Sequence, residues 1–391
     1  MNIKKRTLLQ GLTTLSVAAA SAVYYLYIND LMDFKLLSVG DMNPYGGWSA
    51  LKSALTDLSY RWRGINKSIA LSLAILVTSI FMGRFFCGFI CPVGAMQDCF
   101  KFIGKKLRLK EIKLIKTKYF SLELLKYFVL VTVMVLSILG RGNILSAFSP
   151  WLAYLNLFTG FNIQLSSIIL FLIILISLFI KRVFCRCLCP LGAFQSLVYA
   201  AGPFKLYKTG NCNNCSSCLK DCPVDVTSSD DLIVSPECIS CSECTSSSCI
   251  NGSGTYTYKL FNRKVNNYVL NAVVIFLSIY LMIPLIPTSR KASTFSRMEN
   301  MQDGIYGGSG IGFGGNMEIE VMIQKSEIEG IKVIKHKETS GYYEEVFKKI
   351  SGEIEETQNL NTDVISGATS SSRGFINAVK DAVSKSLSYK R

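Results

Sequence analysis

Histidine is nearly absent from this sequence. His336 is the only one among 391 residues, which excludes a bis-histidine haem and leaves no ligand set for a His-rich metal centre. Acidic residues are also scarce: 27 Asp and Glu stand against 42 Lys and Arg, a formal net charge of +15. Such an excess can serve nucleic acid. Here, however, the basic residues lie beside apolar runs, a placement that speaks against nucleic acid and for a membrane protein with several spans.

Apolar residues and cysteine are in surplus. Hydrophobic residues make up 50% of the chain and the mean hydropathy is +0.33. The apolar excess is concentrated in about five runs, 11–28, 68–82, 127–139, 165–180 and 268–286, near the roughly 20 residues that cross a hydrocarbon core. The shorter runs are expected to span with Arg84, Lys126, Lys181 and Arg182 snorkelling from their ends. Residues 1–28 begin with Lys4, Lys5 and Arg6 and read as a retained anchor or a signal peptide. The loop 83–121 holds nine Lys and Arg residues, whereas 140–164 holds only Arg141. That asymmetry puts 83–121 and 181–267 in the cytoplasm and everything after 286 outside. Arg61, Arg63 and Lys67 dissent from this orientation. Trp48, Trp62, Trp151 and Tyr154 suit an outer aromatic belt.

Fourteen cysteines are present, eight of them between Cys212 and Cys249. A secreted disulfide scaffold is one reading, but C-x2-C spacings suit cluster or metal ligation. Cys212-x2-Cys215-x2-Cys218-x3-Cys222-Pro223 is the run of a bacterial two-cluster ferredoxin, and Cys238-x2-Cys241-x2-Cys244-x4-Cys249 follows it. In that arrangement the fourth cysteine of each run ligates the other cluster. Cys212, Cys215, Cys218 and Cys249 would hold one [4Fe–4S]; Cys238, Cys241, Cys244 and Cys222 would hold the second. The second run departs from the pattern, with a last spacing of four and no proline after Cys249. Small residues crowd 227–254, which suits loops around clusters with little apolar core.

The chain also contains a repeat. Arg84-Phe85-Phe86-Cys87-Gly88-Phe89-Ile90-Cys91-Pro92-Val93-Gly94-Ala95-Met96-Gln97 matches Arg182-Val183-Phe184-Cys185-Arg186-Cys187-Leu188-Cys189-Pro190-Leu191-Gly192-Ala193-Phe194-Gln195. Each copy follows an apolar run, so the unit is a span plus a C-x3-C-P turn at its inner end. Two such turns brought together supply four thiolates, Cys87, Cys91, Cys185 and Cys189, for a further iron–sulfur cluster. Buried inert cysteines or a zinc site are the alternatives. Cys99 and Cys187 have no counterpart in the other copy and are left out.

Gly310, Gly312 and Gly315 satisfy G-x-G-x-x-G. No apolar strand precedes them, and the alternating 317–323 reads as a strand, so a dinucleotide fold is rejected. A second strand at 331–334 and helices at 342–350 and 375–387 complete a small α+β tail.

Ser366-Gly367-Ala368-Thr369 with Asp363, the glycine run and His336-Lys337-Glu338-Thr339 resembles the FMN-binding domain in flavin subunits of the Rnf and sodium-pumping quinone reductase complexes. The resemblance implies FMN attached to Thr369 through a phosphoester, made outside the cytoplasm by a flavin transferase. It assigns Ser366, Gly367, Ala368, Glu338 and Thr339 to the same site. The C-x3-C-P pairs and the cluster runs resemble the polyferredoxin-like family of NapH and NosR proteins. Here the clusters come first and the flavin last, an order that differs from NosR.

The expected organisation is a polytopic α-helical membrane domain with a two-cluster ferredoxin-like insert and a small α+β FMN-binding domain. Its parts are an anchor or signal (1–28), a membrane domain with both motif copies (29–202), the ferredoxin-like domain (203–265), the last span (268–286) and the flavin domain (290–391). The expected function is electron transfer across a membrane, between cytoplasmic clusters and extracytoplasmic FMN. A basic cytoplasmic face suits an acidic donor such as ferredoxin or flavodoxin, and the FMN would serve an outside protein or small acceptor. The rivals are a redox-sensing regulatory or maturation protein and a flavin-dependent terminal reductase. The tail offers no acid–base pair beyond His336 and Glu338, which disfavours the last.

Overall fold

The structure, a computed structural model, describes residues 3–29, 31–32, 37, 39–45, 67–112, 122–138, 148–158, 165–208, 222–226, 233–246, 256–283, 301–338, 342–360, 362, 364–365 and 368–388. The N-terminal apolar run forms α1 (Ile3–Ile28). Within it Arg6–Tyr27 is long and apolar enough to cross a membrane, the one such stretch among the described residues. A short helix α2 (Val39–Met42) follows. The other apolar runs become α3 (Lys67–Met82), α5 (Leu125–Ile138), α7 (Leu165–Ser177) and α11 (Tyr268–Met282). The helix of the 165–180 run ends at Ser177, where Leu178 and Phe179 N–H groups bond three residues back in a tightened turn.

Each repeat copy is a reversal rather than a simple helix end. After α3 the chain turns at Gly83, with φ +66, where a Cβ would lie 2.5 Å from Ser240 Oγ. A π-helical turn (Phe86–Ile90) leads to α4 (Pro92–Lys106), with proline at the first helical position. In the second copy Arg182 takes the left-handed turn, and α8 (Val183–Cys187) leads to α9 (Pro190–Ala201). The motif was expected at the inner helix ends. Instead it folds back among the helices, because its aromatic residues need burial. Phe86 packs 5.8 Å from Trp151, on α6 (Pro150–Asn156), and 6.3 Å from Phe276 in the middle of α11. Trp151 and Tyr154 are therefore core residues and not a lipid-facing belt, and Tyr154 OH donates to Thr14 O at 2.8 Å. Trp48 and Trp62 lie outside the described residues.

The ferredoxin-like part is framed by β1 (Phe204–Lys208) and β2 (Tyr256–Leu260), antiparallel, with β3 (Arg263–Lys264) beyond and α10 (Glu243–Ser246) beside the cysteines. It has more core than its small-residue loops suggest, because the flanking strands supply aromatics. Phe204 stacks on Tyr258 at 5.3 Å, and Tyr258 on Tyr268 at 4.2 Å. Met82, Phe85 and Phe89 join that core, and Tyr268 OH donates to Met82 O at 2.9 Å. The expected boundaries at 202/203 and 265/268 thus cut through one shared core.

The tail is an antiparallel meander, β4 (Gly304–Ile311), β5 (Asn316–Gln324) and β6 (Glu327–Lys335), with α12 (Tyr343–Thr357) and α13 (Thr369–Ser388) packed against it. Met317, Ile319, Val321 and Ile323 alternate inward from β5 and meet Phe375, Ala378, Val379 and Ala382 of α13. The glycine run is itself a strand, which its composition concealed. Its glycines let α13 lie directly on the backbone: a Cβ on Gly308 would stand 2.1 Å from Ala378 O, and one on Gly310 2.0 Å from Gly374 O. The helix expected at 342–350 continues to Thr357 because Val346, Ile350 and Ile354 keep the apolar spacing.

Candidate redox sites

Cys87, Cys185 and Cys189 are buried and Cys91 half-buried. The two copies bring all four into one electrostatic neighbourhood, in which Cys91 feels Cys185, Cys87 and Cys189. Burial pushes the Cys185 thiol up to about 12. Bare, the Cys185 thiol would stay protonated, whereas iron would hold it as a thiolate. Among the described residues no group of three or more His, Cys, Asp or Glu is arranged to hold a single metal ion. Cys99 is exposed, and Cys187 sits apart beside Arg186 and Glu123.

The basic residues at the helix ends turn inward and do not snorkel. Arg84 is 1% exposed, and Arg182 and Lys126 are 0% exposed. Each finds a carboxylate, which explains the reversal: a buried guanidinium needs a partner more than it needs water. Arg182 forks Asp98, with Nε at 2.8 Å from Oδ1 and Nη2 at 2.6 Å from Oδ2. Arg6 reaches the same Asp98 at 2.6 Å and Glu243 at 2.9 Å. Glu237 collects Arg84 at 3.3 Å, Tyr127 OH at 2.8 Å and Lys126. Burial alone would raise the Glu237 carboxyl, but Arg84 and Lys126 outweigh it and hold it below the usual range. Lys181 pairs with Asp225 at 2.9 Å.

Cys222, Cys238, Cys241 and Cys244 line a single cavity with Leu206, Val224 and Tyr258. The structure therefore gathers the fourth cysteine of the first run with the second run. Cys212, Cys215, Cys218 and Cys249 lie outside the described residues. This cavity adjoins the repeat: a Cβ on Gly88 would stand 2.6 Å from Ile239 O and 3.5 Å from Cys241 Cα. On the far side Tyr45, just after α2, brings its hydroxyl within 3.8 Å of Cys189 Sγ. Two residues earlier, Asn43 Nδ2 donates to Tyr342 OH of the tail at 2.8 Å. The same order holds along α1, where Arg6 binds Glu243 beside the cysteines and Tyr24 OH donates to Glu345 Oε2 of the tail at 3.3 Å.

In the tail Glu338 ties the flavin-type motifs together. It is 8% exposed; its Oε1 accepts from Gly314 N at 2.9 Å, and its Oε2 accepts from Ser371 Oγ in the first turn of α13. Glu338 N–H in turn reaches His336 Nδ1 at 3.3 Å. A Cβ on Gly312 would collide with Glu338 Oε1 at 2.2 Å, so the glycines are needed where the carboxylate enters. Ala368 is buried just before α13, and Ser372 Oγ donates to its carbonyl at 2.9 Å. Thr369 is the first residue of α13, and no acidic residue stands in that helix's first turn. Such a helix start presents free N–H groups that suit a phosphate. Ser366, Gly367, Thr339, Asp363 and the Thr369 side chain lie outside the described residues.

Sequence reasoning missed Tyr45 and Asn43, which carry no local signal. It cast Arg84 and Arg182 as snorkelling residues and passed over Gln97 and Gln195, although the recurrence of all four in both copies was a signal.

A family model for a 4Fe-4S binding domain matches residues 67–110 and 163–209, the two copies of the cysteine repeat with their preceding helices. A family model for an FMN-binding domain matches 312–384. An uncharacterized protein of Methanocaldococcus jannaschii is 30% identical over 201 residues, 51% of this chain and 82% of that protein. YccM of Escherichia coli, provisionally named an electron transport protein, is 29% identical over 202 residues, 49% of this chain and 56% of its own. The regulatory protein NosR of Pseudomonas aeruginosa is 29% identical over 164 residues, 41% of this chain and 23% of its own. The repeat that pools four cysteines and the flavin-type tail are thus each matched by a known family model. The chain belongs to the polyferredoxin-like family of 4Fe–4S electron-transport proteins and carries in addition an FMN-binding domain.

Proposed function

We propose that the chain carries electrons across a membrane, between two ferredoxin-type [4Fe–4S] clusters on the cytoplasmic side and an FMN bound covalently to Thr369 outside. Cys212, Cys215, Cys218 and Cys249 hold one cluster, and Cys238, Cys241, Cys244 and Cys222 the other. Cys87, Cys91, Cys185 and Cys189 hold a third iron–sulfur group between them and the flavin. The bound groups supply the electron-accepting chemistry; the chain supplies their order and surroundings.

One observation carries this reading. The cysteine repeat lies against the ferredoxin-type part at Gly88 on one side, and on the other Cys189 meets Tyr45, two residues from the Asn43 that bonds Tyr342 of the tail. The separation of the faces supports it too. Arg6 and Tyr24 mark the two ends of α1, and at about 1.5 Å per residue their 18-residue separation spans roughly 27 Å, near the ~30 Å of a hydrocarbon core. The five apolar helices and the Lys/Arg asymmetry support several spans with the tail outside. The surplus of positive charge favours an acidic donor of ferredoxin or flavodoxin type, and the Thr369 linkage calls for a flavin transferase.

Anaerobically purified protein, co-expressed with a flavin transferase, tests this. It should contain iron beyond the roughly eight atoms of two [4Fe–4S] clusters, and its flavin should be reduced by reduced ferredoxin. Eight irons or fewer, or a flavin that stays oxidised, would contradict the reading. The regulatory name of NosR favours a second reading, in which the same groups sense redox state for a partner reductase. Flavin reduction too slow to sustain turnover would support that alternative.

A further inference from the structure

The two copies of the repeat exchange side chains. Gln97, in the first copy, donates from Nε2 to Cys185 Sγ in the second at 3.3 Å. Gln195, in the second copy, meets Cys87 Sγ in the first at 2.9 Å. Both glutamines are 0% exposed. The second cysteine of each copy has its own N–H: Gly192 N donates to Cys189 Sγ at 3.3 Å, and Gly94 N to Cys91. The four sulfurs thus each face one amide, in a crossed two-fold pattern.

One member of the pattern is incomplete. The orientation of Gln97 is fixed, because its Oε1 accepts from Phe184 N at 3.1 Å and its Nε2 must then face Cys185. Gln195 is reversed: Cys87 S–H donates to its Oε1, and its Nε2 is buried with no hydrogen-bond partner. A buried unpaired amide costs about 1–3 kcal/mol. Once Cys87 binds iron it is an acceptor only, and a half-turn of the amide, which leaves the side chain's shape unchanged, brings Nε2 to the sulfur. Nε2 then has an acceptor, as Gln97 Nε2 has in Cys185.

We propose that Gln97 and Gln195 are positioning residues for a cluster on Cys87, Cys91, Cys185 and Cys189. Each donates an amide N–H to the first cysteine of the opposite copy, and together they raise the reduction potential. This rests on reading the repeat as a cluster site. N–H donors to sulfur stabilise the more negative reduced state, so hydrogen bonds to the sulfurs help set the potential. A residue needed only for packing could be methionine, of similar length and without a donor.

The test is a redox titration of the full anaerobically purified chain, followed by electron paramagnetic resonance, with iron counted in parallel. Gln195→Met and Gln97→Met should keep the iron and leave the ferredoxin-type signals in place. Each should shift the remaining signal about tenfold toward the oxidised form, about 59 mV lower for one electron, and the double variant should shift it further. Unchanged potentials with full iron would overturn the proposal. Loss of iron in both single variants would also overturn it, by making the glutamines merely structural. Absence of any third signal or extra iron in the unaltered chain would instead refute the cluster reading itself, which keeps the two failures distinct.

Discussion

Asp98 is the residue whose loss should be felt most widely. Its carboxylate forks Arg182, which is 0% exposed, and also binds Arg6, which is 8% exposed. Arg182 Nη1 in turn donates to Cys87 O at 2.7 Å, so the ion pair is connected to the cysteine repeat. Asp98→Ala leaves Arg182 with a buried charge and no carboxylate, while Arg6 keeps only Glu243. Removing one partner of a buried pair costs about 3–5 kcal/mol, and at roughly 2–4 °C per kcal/mol the melting temperature should fall by about 10 °C. Thermal unfolding of the detergent-solubilised protein, with iron counted in parallel, measures this. Asp98→Ala combined with Arg182→Met removes both charges and should recover much of the loss, because an apolar replacement of a buried pair is often neutral. A fall below about 3 °C for the single variant, or a double variant worse than the sum of the singles, would refute the reasoning.

The same carboxylates give a pH dependence. Burial alone would raise Asp98 and Glu237, but their arginine and lysine partners outweigh it and hold both below the usual range. Their contribution is present above the unfolded value of about 4 and is lost as pH falls through the lower folded value. Melting temperature should therefore be flat from pH 7 to about 5 and decline below that; a decline that begins at neutral pH would contradict it. Cys222→Ser should damage the cluster held by Cys238, Cys241 and Cys244, whose cavity it shares, and spectroscopic loss of the other cluster instead would refute crossed ligation. Thr369→Ala should abolish the fluorescent flavin band on a denaturing gel while Ser370→Ala keeps it; a band in Thr369→Ala would disprove the attachment residue.

The repeat was legible because cysteine, proline, glycine, arginine and glutamine recur in register, and five such residue types rarely coincide twice without cause. What the repeat does with its arginines was not legible. Arg84 and Arg182 at helix ends look the same in sequence whether they snorkel outward or turn inward, and the choice depends on Asp98 and Glu237, which are distant in the chain. The reversal at Gly83 was hidden likewise, because the pocket that buries Phe86 is built by Trp151 and Phe276 from elsewhere. In the tail, strand β5 was plain from its alternation. Strand β4 was not, because glycines at 307, 308 and 310 have no apolar face to alternate, and their purpose appears only when α13 is laid against them. Tyr45 and Asn43 stand in a loop with no periodicity, so only the fold brings them to Cys189 and Tyr342.

Passage of electrons through the repeat cysteines is tested most directly by flavin reduction in sealed vesicles, with reduced ferredoxin supplied only to the face that bears the ferredoxin-type clusters. In the unaltered chain the FMN on the opposite face should be reduced. In Cys189→Ser, which removes the sulfur beside Tyr45, the ferredoxin-type clusters should still be reduced and the flavin should remain oxidised. Flavin reduced in Cys189→Ser at the rate of the unaltered chain would show that electrons bypass the repeat, and the proposed route would be wrong.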